Sequence, residues 1–202
     1  MGKIVIDTAM RLRHDRIFNK IFQNLTLKKR GILLDIGSSN QKRYYRFFPN
    51  YLIETLDIDK TVNPTYVADI QFEKPNKKYD IIIAFQVLEH IPDTDKALNN
   101  ISKLLTDKGL FIASIPMFYS IHGIDYNRYT DRALKHHLSK FFKNMEIIPF
   151  GNPYFYFLKC ISKTPIVGIG FNLVNPLLEN LIRYDSKTNP NGFFIIARNA
   201  FQ

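Results

Sequence analysis

At 202 residues the chain has the length of one domain, and a hydrophobic share of 46% supplies a core, which excludes a disordered composition. Its formal charge of +10 favours anionic partners such as nucleic acid, acidic lipid or phosphorylated substrates, while basic residues scattered along helices equally make a solvated surface. The single cysteine, Cys160, excludes a disulfide framework and implies a reducing, cytoplasmic setting.

The N-terminal MGKIVIDTAM has neither the apolar core of a secretory signal nor the hydroxyl residue of a myristoylation site. Over residues 10–25, Ile17, Phe18, Ile21, Phe22 and Leu25 share one stripe, which predicts an amphipathic lead-in helix. Gly31–Ile36 is a short apolar run closing on Asp-Ile-Gly and predicts a buried parallel strand. Further strands are expected at Tyr51–Asp57, at Thr65–Ile70 and, most strongly, at Tyr79–Gln86. Ala97, Ile101, Leu104 and Leu105 mark a helix that Asp107-Lys108-Gly109 should end. Leu110–Ile115 reads as a strand stopped by Pro116, and Thr130 as the cap of a helix carrying Leu134, Leu138 and Phe141. Met145–Phe150 and Gly192–Arg198 are expected as the last strands. The intervening stretch, 151–191, is too long for a structureless loop and predicts a helical insertion, with helices near Phe155–Ser162 and Pro176–Tyr184. Its most apolar part, Thr164–Ile182, is broken by Asn172, Asn175, Pro176 and Glu179, so no transmembrane segment is expected, although peripheral membrane contact stays open.

Strands alternating with helices predict a single α/β domain over 1–202, a mostly parallel sheet covered on both faces. Ligands of such sheets lie beyond the carboxyl ends of the strands, where the strand order reverses. The loop there reads Asp35-Ile36-Gly37-Ser38-Ser39-Asn40, and Asp57 ends the next strand. A glycine turn followed by a strand-end acid also occurs in dinucleotide sites. Asp35 at the lip of the loop separates the cases: a carboxylate repels a pyrophosphate but suits a ligand carrying an ammonium and a sulfonium.

The stretches LLDIGSSN, YYRFFPNY, ETLDID, YVADI, YDIIIAFQVLEHI, GLFIASIPMFYSIHG and DYNRYT, in that order, resemble the class I S-adenosylmethionine-dependent methyltransferases often grouped as type 11. The resemblance is nearest to a bacterial subgroup associated with surface-polysaccharide gene clusters. It implies a Rossmann-like class I methyltransferase fold with a seven-stranded, mostly parallel sheet, helices on both faces and a helical insertion before the last strand. It implies S-adenosyl-L-methionine as cofactor, held by Asp35, Gly37, Ser38 and Ser39 in the first loop. Asp57 and Ile58 follow at the second strand, Asp69 and Ile70 at the adenine, and Gln86 near the methionine amino group. Ser39 and Gln41 stand where the family has further glycines, and a side chain there crowds the turn.

His90, in the Leu88-Glu89-His90 that follows the fourth strand, and His122 are the candidate general bases, the alternative for His90 being a hydrogen-bonded core residue. Glu89 reads as a cap or ion-pair partner of a lysine, or equally as a residue with a direct role. Tyr126 and Arg128, in the segment that also holds Asp125, are candidate acceptor-binding residues, with helix-entry packing as the alternative. No His/Cys cluster has metal-ligand spacing, so no metal is expected. Three functions stay open. The first is transfer of methyl to oxygen or nitrogen of a small polar acceptor such as a sugar or glycan precursor. The second is methylation of RNA, less favoured because no base-reading motif is visible. The third is a non-catalytic binding role on the same fold. The sequence does not fix an oligomeric state.

Overall fold

The computed structural model describes residues 18–39, 42–118, 125–151 and 190–200. The chain divides into two compact units: residues 1–26 with 149–192, and residues 27–148 with 193–202. In the first, residues 18–23 are helical (α1), and Phe18, Ile21 and Phe22 are buried as the apolar stripe requires. Leu25 falls beyond the helix end, and the N-terminal part of the predicted helix lies outside the described residues.

The larger unit is built on a sheet whose strands are β1 (Gly31–Ile36), β2 (Tyr51–Asp57), β3 (Tyr66–Val67), β4 (Tyr79–Phe85), β5 (Leu105–Pro116), β6 (Phe142–Phe150) and β7 (Gly192–Ala200). They lie in the order β3-β2-β1-β4-β5-β7-β6, seven strands as the sequence predicts. The pairs β1–β2, β2–β3, β1–β4 and β4–β5 are parallel. The strand order reverses between β1 and β4, which puts the ligand crevice beyond the carboxyl ends of these two strands.

The central strands are apolar because both faces are covered. Ile81–Ala84 and Leu110–Ile115 are buried without interruption. Helix α2 (Thr94–Leu104) buries Ala97, Leu98, Ile101 and Leu104, and α3 (Asp131–Leu138) buries Leu134 and Leu138. Both start as their caps dictate: Asp93 accepts from the Lys96 N–H at 3.1 Å, and Thr130 Oγ1 from that of Ala133 at 3.2 Å.

Several boundaries differ from the sequence reading: β4 ends at Phe85 and not Gln86, β6 starts at Phe142 and not Met145, β7 runs on to Ala200, and two further differences have a visible cause. The third strand spans Tyr66–Val67 and not Thr65–Ile70, because the chain turns back at once, with Phe72 and Glu73 N–H donating to the Asp69 carbonyl at 2.9 and 2.8 Å. Helix α2 stops at Leu104 and passes directly into β5, so Asp107-Lys108-Gly109 lies inside the strand. Its turn character survives as a bulge: pairing jumps from Tyr79–Leu105 to Ile81–Leu110. A Cβ on Gly109 would sit 2.8 Å from the Thr106 carbonyl oxygen, so only glycine permits that approach. The predicted helices of the insertion lie outside the described residues.

Candidate active site

The chain leaves β1 through Gly37, whose φ of 65° is left-handed and whose N–H donates to the Leu56 carbonyl at 2.8 Å. A Cβ on Gly37 would meet Val87 Cγ2 at 2.5 Å, so the loops after β1 and β4 pass within contact of each other. Ser38 is buried. Ser39, at the position where the resembling family has a glycine, takes up a glycine-like φ of 46°. Its N–H donates to Asp57 Oδ2 at 3.1 Å, while Asp57 Oδ1 accepts from the Asp59 N–H at 3.0 Å. Asp57 therefore ties the first loop to the end of β2, and this bond offsets part of the left-handed strain, on the order of 1–2 kcal/mol for a non-glycine residue.

Asp35 is 5% exposed, and Tyr45 Oη donates to its Oδ2 at 2.9 Å. Burial pushes its carboxyl up to about 7; the Tyr45 bond opposes the rise and the Asp57 carboxylate adds to it. Tyr45 comes from the 3₁₀ turn Arg43–Phe47, and burial beside Asp35 raises its phenol in turn. Tyr45 is a site residue that sequence reasoning missed; its only signal is the aromatic-rich YYRFF after the loop, which reads equally as core.

Beyond β3, both Asp69 oxygens accept from Gln71 Nε2, at 3.1 and 3.0 Å, and Oδ1 also from the Gln71 N–H at 2.9 Å. Ile70 is packed in the core, and its carbonyl accepts from Asn100 Nδ2 at 2.8 Å. Ile58 and Phe72 are large apolar residues left 74% and 71% exposed at the ends of β2 and β3. Gln86 follows β4 with a φ of 58°, and its amide Nε2 donates to Ser114 Oγ of β5 at 3.2 Å.

The 3₁₀ turn Leu88–His90 comes next. Glu89 is 2% exposed, and its Oε2 has no hydrogen-bond partner among the described residues. Burial pushes its carboxyl well above the usual range, against the lowering effect of its own backbone N–H and of His90. The Glu89 carbonyl accepts from the Tyr126 and Asn127 N–H groups at 2.8 and 3.2 Å, and Asn127 Nδ2 donates to the Ile91 carbonyl at 2.7 Å. These bonds dock the segment before α3 onto the turn. His90 Nδ1 then lies 3.0 Å from Asp125 Oδ1, and its Nε2 lies 3.9 Å from Glu89 Oε1. Arg128 pairs with the other Asp125 oxygen, so this predicted acceptor ligand is engaged within the protein, while Tyr126 is 55% exposed. His122 lies outside the described residues. The structure thus groups Asp35, Gly37, Ser38, Ser39 and Asp57 in one linked set and His90, Tyr126 and Arg128 in another. Asp125, which the sequence reading placed in the acceptor-facing segment, and Glu89, which it left equally a cap, an ion-pair partner or a site residue, join the second set. Among the described residues no cluster of three or more His, Cys, Asp or Glu is placed to hold a metal.

A seven-stranded sheet whose order reverses at β1/β4, with acids at or near the ends of β1 and β2, is the Rossmann-like fold of the solved methyltransferase structures. Residues 7–147, most of the chain, match the family described as "Methyltransferase domain", and the chain belongs to that family. Solved structures share the fold at low identity. A S-adenosylmethionine-dependent methyltransferase from Clostridium acetobutylicum has a TM-score of 0.59 and 12% identity, over 92% of this chain and 90% of its own. The N-methyltransferase NodS from Bradyrhizobium japonicum, in complex with S-adenosyl-L-homocysteine, has a TM-score of 0.56 and 12% identity, over 94% and 86%. Phosphoethanolamine N-methyltransferase 2 from Haemonchus contortus, in complex with S-adenosyl-L-methionine, has a TM-score of 0.57 and 12% identity over 92% of this chain. The chain spans about half of that protein's length, 52%. No curated protein sequence matches the chain.

Proposed function

We propose that this protein transfers the methyl group of S-adenosyl-L-methionine to an oxygen or nitrogen of a small polar acceptor, with a sugar or glycan precursor as the class to test first. The observation that carries the cofactor is Asp35, a buried carboxylate whose one described hydrogen-bond donor is Tyr45 and whose neighbour is a second acid, Asp57. Such a site disfavours a phosphate and is completed by a cationic ligand. Gly37 lets the loops after β1 and β4 come together, since a Cβ there would collide with Val87. Asp57, Asp69, Gln86 and the exposed Ile58 supply the remaining polar and apolar contacts, and the Ser38–Ser39 backbone the loop. Structural neighbours with S-adenosylmethionine or S-adenosylhomocysteine bound support the same reading.

When bound, this cofactor supplies an already activated methyl group. The chain's own residues then have two tasks, to hold the acceptor in line and to take its proton. Tyr126, exposed beside the His90 turn, is proposed to contact the acceptor, with Arg128 shaping that wall through Asp125. His90 is proposed as the base, the sequence offering His122 as its alternative. The glycan class rests on the resemblance to polysaccharide-cluster enzymes, and the single cysteine supports a cytoplasmic setting. No helix among the described residues is long and apolar enough to cross a membrane.

Calorimetric titration tests the reading: S-adenosylhomocysteine should bind and NAD should not. Binding of NAD alone would overturn it. A screen with methyl-labelled cofactor, against nucleotide sugars, free amino sugars and RNA, then identifies the acceptor.

A further inference from the structure

A cation that a protein half-buries without an acid of its own is completed by an anion that a ligand brings, because a buried charge left unpaired is costly. We propose that Arg43 is an anion-binding residue of the crevice, taking an oxygen acid, carboxylate or phosphate, of a bound ligand. The inference rests on the methyl-transfer reading above, which supplies two such ligands. One is the α-carboxylate of S-adenosyl-L-methionine, the other the phosphate of an acceptor such as a sugar phosphate.

Arg43 opens the 3₁₀ turn Arg43–Phe47, and two contacts of that turn place it on the crevice. Tyr45, two residues on, donates to Asp35 Oδ2 near the end of β1. The Tyr44 ring lies 4.4 Å from that of Phe85, the last residue of β4. Asp35 pairs in register with Ile83, so Asp35, Ile83 and Phe85 stand on one face of the sheet. The turn therefore spans, on that face, the carboxyl ends of the two strands between which the order reverses.

Tyr44 also holds the arginine. The Arg43 guanidinium carbon lies 4.7 Å from the centroid of the Tyr44 ring, and Nη2 donates to the Tyr44 hydroxyl. These contacts fix the guanidinium without satisfying it, since it carries five N–H donors in a rigid fork that matches a carboxylate or phosphate. Its Nε is buried and has no hydrogen-bond partner, and no acid among the described residues pairs with it. Asp35 does not fill that role: it takes its hydrogen bond from Tyr45 and is not paired with Arg43. One short turn thus touches an acid that lacks a cation and carries a cation that lacks an acid. That is the complement of a zwitterion such as the amino-acid end of the cofactor, and the open fork suits an acceptor's phosphate by the same chemistry.

The Arg43 Nε–Hε cross-peak of nitrogen-15-labelled protein, assigned through bonds from its own backbone amide, reads the group directly and needs no variant to fold. A new hydrogen bond to an oxygen acid should move it downfield. The probes are S-adenosylhomocysteine, its decarboxylated analogue, which keeps the amine and lacks the carboxylate, and glucose 1-phosphate added to protein saturated with S-adenosylhomocysteine. A shift with S-adenosylhomocysteine and not with the analogue assigns the anion to the cofactor. A shift with glucose 1-phosphate alone assigns it to the acceptor. A peak that moves alike with both thioethers, or with none of the probes, overturns the proposal. Arg43→Gln should lower the affinity for the ligand so assigned roughly tenfold or more, the worth of hydrogen bonds between charged groups, and leave the decarboxylated analogue unchanged. Calorimetry of wild type with S-adenosylhomocysteine is read separately: absence of binding sinks the methyl-transfer reading, and glucose 1-phosphate added to the free protein then still decides the role of Arg43.

Discussion

Asp35→Asn should make this protein more stable and weaken its cofactor binding. Burial raises the Asp35 carboxyl from 3.8 to about 7. Because the folded state holds this proton more tightly than the unfolded chain, the sign is the reverse of a salt-bridged acid. The group favours folding most below its unfolded value, and that contribution is lost as the pH rises from about 4 to about 7. A rise of about three pKa units corresponds to about 4 kcal/mol above pH 7, about 2 kcal/mol near pH 5, and almost nothing near pH 3. Asparagine keeps an oxygen for the Tyr45 hydroxyl and removes the charge. Thermal and urea unfolding at about pH 8 should then show a gain of several kcal/mol, with a Tm rise of roughly 2–4 °C per kcal/mol for a chain of this size, shrinking steadily toward acid pH. Titration with S-adenosylhomocysteine should show the affinity falling by about 1.5–3 kcal/mol, the worth of a hydrogen bond to a charged group. Equal stability of the two proteins at about pH 8, or a difference independent of pH, would refute the claim that an uncompensated charge is buried at this strand end.

Gly37→Ala should cost several kcal/mol or at least tenfold in S-adenosylhomocysteine affinity, because the new methyl meets Val87 at 2.5 Å and adopts a φ of 65°; titration and unfolding curves check it. Asp57→Ala frees the Ser39 and Asp59 N–H groups together, so cofactor affinity should fall by about 1.5–3 kcal/mol with the fold retained, as circular dichroism and calorimetry would show. Tyr45→Phe strips Asp35 of its described donor, so the pH at which the Asp35 stability contribution is lost should move upward, read from unfolding across a pH series. Replacing residues 152–190 by a short turn should spare S-adenosylhomocysteine binding and abolish methyl transfer. The join is feasible because the Asn191 N–H donates to the Phe150 carbonyl at 2.8 Å, and failure to fold would make the insertion part of the core.

The strands were legible where an apolar run is bounded by turn residues. Gly31–Ile36 and Tyr51–Asp57 have the bounds their apolar runs and flanking turns predict, and Tyr79–Phe85 differs by one residue. Where a tertiary partner decides, the sequence is silent or misleading. Asp107-Lys108-Gly109 has the composition of a helix stop, yet pairing with β4 on both sides absorbs it as a bulge. The acids Asp35 and Asp57 were legible because each ends a recognisable strand. Tyr45 and Asp125 were not, since each acquires its meaning only through a side chain that the fold carries to it. Arg128 shows the converse: an arginine near an expected acceptor site is satisfied by an aspartate three residues earlier in the chain.

The same crevice holds most of what the fold would otherwise avoid. Three described non-glycine residues have left-handed backbone, and two of them, Ser39 and Gln86, follow β1 and β4, the strands at which the order reverses. The two acids raised to about 7, Asp35 and Glu89, lie on β1 and just after β4. Strain and unpaired buried charge of this kind persist where the surrounding structure enforces them, and each is a stability loss that packing alone does not require. Asn63, the third left-handed residue, differs in being an exposed turn with its N–H satisfied by the Lys60 carbonyl, an ordinary use of asparagine. A cationic ligand in the crevice would relieve the Asp35 charge. The stability gained on binding should then exceed what the same ligand confers on Asp35→Asn, by the amount that the charge costs the free protein. Thermal shifts with saturating S-adenosylmethionine, which carries the sulfonium, and S-adenosylhomocysteine, which does not, measure that difference. Equal shifts for wild type and Asp35→Asn with both ligands would place the compensation elsewhere in the site.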